Sequence, residues 1–112
     1  MVPAMFRHRA GKQSDNEGRE ALVAAFCRQR DRALVEQRFR FADHFCDKIL
    51  AEDPRDLRTW LVKGHLAWRH FNDHGRALNC FRQVVILGGY ESTNEHVARA
   101  RVSLAQLLEQ LA

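Results

Sequence analysis

The chain has 112 residues, 46% of them hydrophobic and 29% charged, with a formal net charge of +4. That is one domain's worth of sequence with enough apolar residues for a core, which excludes wholesale disorder and a second domain. No run approaches the ~18 apolar residues of a membrane span, and Cys27, Cys46 and Cys80, an odd number with no Cys-x-x-Cys pair, argue against a disulfide framework.

Residues 1–16 carry glycine and charge without an apolar period and read as a mobile leader. Met1 to Phe6 is too short for a signal sequence, and Arg7, His8 and Arg9 follow it instead of preceding it, so a cytoplasmic location is expected. Ser14-x-x-Glu17 fits a capping box. Beyond it Leu22, Phe26 and Ala33, with Val23, Cys27 and Leu34 beside them, predict a first helix over 17–36. After a turn near Gln37-Arg38, a second helix buries Phe41, Ala42, Phe45, Cys46, Ile49 and Leu50 and stops at Asp53-Pro54. Proline suits the first turn of the next helix, with Asp53 as its N-cap.

The third helix carries Leu57, Trp60, Leu61, Gly64, Ala67, Trp68 and Phe71, and a turn over Asn72–Gly75 follows. The fourth presents Ala77, Leu78, Phe81, Val84 and Val85 and is stopped by Gly88-Gly89. Ser92-x-x-Glu95 predicts the capping box of a fifth helix bearing Val97, Leu104, Leu107, Leu108 and Leu111. The expected fold is all-α, about five helices in antiparallel hairpins. The cysteines fall on or beside apolar stripes, where a free thiol behaves as a small hydrophobe.

Phe39–Pro54 and His74–Gly89 follow one pattern: an alanine (Ala42, Ala77), bulky apolar residues at helical spacing, then a breaker. Their period is about 35 residues, and a unit this short must stack on a neighbour to bury its apolar face. Trp60, Gly64 and Ala67, then Ala77, Phe81 and Val84, match the two-helix signature of the tetratricopeptide repeat (TPR), which this chain resembles. Phe26, Ala33, Ala42, Cys46, Ile49 and Pro54 hold the equivalent places one repeat earlier. The resemblance implies a helical domain over 17–112 stacked as a short TPR-like superhelix. It would contain repeats over about 23–54 and 55–91 and a capping helix, or third first-helix, over about 92–111. Gln29, Arg30, Lys63 and Gly89 depart from the pattern.

The same resemblance implies a non-catalytic adaptor or co-chaperone, without cofactor, that holds a peptide or helix of another protein on its concave face. On that face it would place Arg58, Leu61, His65, Trp68 and Arg69, with Ala24, Cys27, Asp31, Leu34 and Val35 before them. Thr93, His96, Ala100, Ser103 and Leu104 would follow on the last helix. Leu61 and Trp68 suit an apolar anchor, and Arg58, Arg69 and the histidines an acidic flank. Alternatively, Leu61 and Trp68 pack beneath the final helix. Five cations (Arg55, Arg58, Lys63, Arg69, Arg76) against Asp56 and Asp73 in the same stretch favour an acidic partner.

Other chemistries find little support. His70-x-x-x-His74 has metal-like spacing but falls in a predicted turn, and no further ligand completes it. No serine elbow or phosphate-cradling loop is present, and Asp43, Asp47, Glu52 and Asp53 are spaced as a solvated face, so an enzyme is not expected. Arg28, Arg30, Arg32, Arg38 and Arg40 beside Phe39 and Phe41 suggest nucleic acid. On a hairpin, however, those phenylalanines are expected to pack between helices and the arginines to be solvated. Two repeats are fewer than a solenoid usually needs, which makes an obligate or self-associating subunit the main alternative.

Overall fold

A computed structural model describes the backbone of residues 2–112 and the side chains from residue 16 onward. The helices are α1 (Val2–Val35), α2 (Phe39–Glu52), α3 (Leu57–Arg69), α4 (His74–Gly88) and α5 (Glu95–Leu111), with no strand among the described residues. Helix α1 begins upstream of the expected residue 17; the Ser14 side chain and, Asn16 apart, those of the leader lie outside the described residues. Each helix packs on the next as an antiparallel neighbour, and α5 also folds back onto α3. The all-α, five-helix expectation therefore holds.

Two apolar clusters form the interior. One joins α3, α4 and α5 through Leu61, Ala67, Ala77, Phe81, Val84, Val97 and Leu107. The other joins α1, α2 and α3 through Ala33, Ala42, Cys46 and Leu66. Small residues set how closely the helices cross. A Cβ on Gly64 would lie 2.6 Å from Cε1 of Phe81, so the α3–α4 crossing requires the glycine. Burying Phe81 completely contributes roughly 2–3 kcal/mol, and only that close approach permits it.

The hairpin turns use left-handed backbone at Gln37 (φ 59°), Asn72 (φ 52°) and Gly89 (φ 97°). Gly89 ends α4 where the breaker was expected. The other two ends differ from expectation. Asn94, not Ser92, caps α5, accepting from the His96 N–H at 2.7 Å; the Ser92 hydroxyl accepts from the Asn94 N–H at 3.0 Å. Asn94 stands one residue before the helix, where its amide oxygen reaches a free N–H of the first turn. Helix α3 starts three residues after Pro54, with Asp56 at its N-cap position. The Pro54 carbonyl is engaged by Trp60 Nε1 at 2.8 Å, and Asp53 accepts from the Arg55 N–H at 3.2 Å. These bonds hold residues 53–56 as a separate turn.

Two charged groups expected at the surface are interior. Arg30 is 1% exposed: its guanidinium donates to Thr59 Oγ1 at 2.9 Å and to Asp31 Oδ1 at 3.1 Å, and Thr59 in turn donates to Asp56. Among the described residues no Cα atoms of α1 and α3 approach within 8 Å. Where the repeat pattern has a small residue, the long arginine spans the wider gap and satisfies its own charge. Lys63 donates to Asp43 at 3.0 Å and Asp47 at 2.8 Å, with Arg76 3.7 Å from Asp43. Burial opposes the lysine charge, but the bonds to Asp47 and Asp43 outweigh it and raise its pKa above 10.5. Asp43 is thus a half-buried link between α2, α3 and α4, not part of a solvated face.

Candidate interaction groove

The stacking of α5 beside α3 leaves an open cleft of about 410 Å³ lined by His65, Ala98, Arg99, Val102 and Ser103. Of the expected α3 residues His65 lines it, and Trp68 and Arg69 follow three and four positions further along the helix. Trp68 is half-buried; its ring stands edge-on to Phe81, with centroids 6.2 Å apart, and Nε1 donates to Gln110 Oε1 at 3.0 Å. The Arg69 guanidinium lies 4.1 Å above the Trp68 ring, the geometry of a cation–π contact. Trp68 therefore packs against the core and also presents part of its ring beside an exposed cation.

His65 sits edge-on to Phe81 at 5.0 Å, and its Nε2 is 3.5 Å from Ser103 Oγ. Burial lowers its pKa, and the nearby charges of Arg69 and Arg99 lower it further. Neutral His65 is consequently the favoured form, able to accept or donate a hydrogen bond according to tautomer. His96 is half-buried, and its Nδ1 is buried without a hydrogen-bond partner.

The other expected stripe residues separate. Leu61 is 5% exposed and belongs to the core, supporting the groove from beneath rather than lining it. Arg58 is exposed but sits 3.8 Å from Asp31, at the end of α3 nearer α1. Val35 and Ala24 are exposed, Cys27 and Leu34 half-buried, and Ala100 buried. Arg99 was missed by the repeat pattern, which marks only the inward stripe of α5. Its place three residues after His96 and four before Ser103 was the available signal.

Outside the groove, Phe39 stacks on His70 with centroids 3.6 Å apart, as interhelix packing predicts. Phe41 does not follow that expectation: it is 57% exposed, with Arg38 5.8 Å from its ring centroid. Leu22, expected on the buried face of α1, is 43% exposed. No helix among the described residues is long and apolar enough to cross a membrane. No protein-family model matches the chain, and no curated protein matches it.

Proposed function

We propose that this chain is a non-catalytic, TPR-like binding module whose α3–α5 groove takes a segment of another protein bearing an apolar side chain next to a carboxylate. The observation that carries the reading is the Trp68–Arg69 pair at 4.1 Å, with the Trp68 ring 6.3 Å from that of neutral His65, which lines a cleft with Arg99. Aromatic and arginine side chains together are the residues from which protein-binding hot spots are most often built. Two first helices side by side, with Gly64 admitting Phe81 behind them, support the repeat-like reading of the architecture. The rigid helices would select a ligand by preorganisation, with the two arginines giving it charge preference.

The test is a fluorescence-anisotropy screen of labelled peptides pairing an aromatic or leucine anchor with aspartate or glutamate, beside lysine-containing controls. Acidic peptides should bind, weaken as salt rises, and be lost on Arg69→Glu with Arg99→Glu while helical circular dichroism is unchanged. Equal binding by basic peptides, or binding that survives both reversals, overturns the assignment.

A further inference from the structure

The outward side of α5 has an internal symmetry about Ala105. Arg101, Val102, Ala105, Leu108 and Glu109 are all exposed, Val102 at 56% and Leu108 at 50%. At about 100° per residue these five lie within roughly 60° of Ala105 around the helix. Their order is palindromic in chemistry: cation and apolar residue before Ala105, apolar residue and anion after it. Placed antiparallel to a second α5 about a two-fold axis through Ala105, Arg101 stands level with Glu109 of the second copy. Val102 then stands level with Leu108 of that copy, and the small Ala105 meets itself, letting the helices approach. Ala98 and Ala112, at the ends of the stripe, are likewise small and exposed.

Charge and apolar surface both complement a second copy. Neither Arg101 nor Glu109 makes an ion pair within its own chain among the described residues. The apolar surface continues onto the end of α4, where Ile86 (68% exposed) and Tyr90 (74% exposed) flank a cleft of about 540 Å³ with Leu104 and Leu108. Arg101 lies 5.7 Å from the Tyr90 ring centroid, at the border of that cleft. A foreign helix would not require the face to match its own inverse, whereas a two-fold partner does.

We infer that the protein forms an antiparallel two-fold dimer through α5, with Ala105 on the axis and Arg101–Glu109 pairs on either side. The dimer does not depend on the peptide-groove reading, although Ala98 and Val102 border both surfaces. Size-exclusion chromatography with light scattering tests it on the full chain, at concentrations on the order of 100 μM. The wild-type protein should run at twice the chain mass. Arg101→Glu alone and Glu109→Arg alone each place like charges together and should weaken dimerisation about tenfold or more. The double variant restores opposite charges across the axis and should dimerise again. Both Arg101→Glu and the double variant lose the contact with Tyr90, so recovery reads the charge pairing alone. A monomeric wild type, a dimer indifferent to the single reversals, or a double variant that stays monomeric overturns the inference.

Discussion

The Arg30 guanidinium donates to Thr59 Oγ1 at 2.9 Å, a buried contact that ties the first helix to the third, beside the more exposed Arg58–Asp31 pair at 3.8 Å. The pattern the sequence resembles expects a small residue at position 30; a buried ionic side chain stands there instead, and Asp31 and Asp56 complete the network. The arrangement holds only while each polar group keeps its partner.

Arg30→Ala should therefore destabilise the protein by about 3–5 kcal/mol, because it leaves Thr59 Oγ1 and the Asp31 carboxylate without the arginine donor and opens a cavity. Arg30→Met, which keeps the stem volume and removes the charge, should cost less. Urea unfolding of both variants gives the comparison, and equal losses would show that the lost polar network alone, not packing, sets the cost.

Gly64→Ala should lose about 1–3 kcal/mol, although alanine is the better helix former by ~1 kcal/mol. The added methyl would meet the Phe81 ring, itself fully buried and unable to move aside without displacing α4. Thermal unfolding of Gly64→Ala beside Gly64→Ala/Phe81→Leu should show the second change relieving part of the first.

His65 gives the protein an acid-sensitive component. Its folded pKa lies below the ordinary 6.5, so the unfolded chain binds the proton first. The stabilisation from keeping the ring neutral is complete above about pH 6.5, declines as the pH falls towards the lowered folded value, and then stays lost. Denaturant midpoints at pH 7.5 and pH 5 should fall further apart in the wild type than in His65→Phe. Identical differences would mean that His65 is not held neutral.

The cysteines should divide by reactivity. Burial pushes the Cys46 thiol up to about 12 and the Cys80 thiol up to about 11, whereas Cys27 is half-buried on α1. Brief iodoacetamide treatment of the folded protein, followed by peptide mass spectrometry, should find Cys27 modified first and the other two only after denaturant is added.

Periodicity and breakers made the helices legible. Ala42, Cys46 and Ile49, then Ala77, Phe81 and Val84, are buried where helical spacing put them. Gly64 was legible too, since a glycine mid-helix needs a close neighbour to offset its cost. The interior ion networks were not. Arg30 and Lys63 look like surface residues until the partners at Thr59, Asp43 and Asp47 are known, and those partners lie 16 to 29 positions away in sequence. Caps failed for a related reason: Ser92 and Asn94 are both good N-caps, and only the path of the loop chooses between them. Of the candidate groove, Trp68, Arg69 and His65 came from the resemblance to the tetratricopeptide pattern, and Leu61 follows the alternative of packing in the core because two apolar faces of α3 are both used.

That double use of α3 bears on how the molecule breathes. Leu61 and Ala67 belong to one cluster and Leu66 to the other, so α3 is the wall common to both. The α1–α2 side holds Ala33, Ala42, Cys46 and Leu66, with little buried aromatic volume, whereas Phe81 and Leu107 anchor the α4–α5 side. Amide hydrogens of α1 and α2 should accordingly exchange through a partial opening that leaves α3 to α5 closed. The molecule would then behave as a sturdier three-helix unit with a loosely latched pair of helices, and Arg30 as the latch.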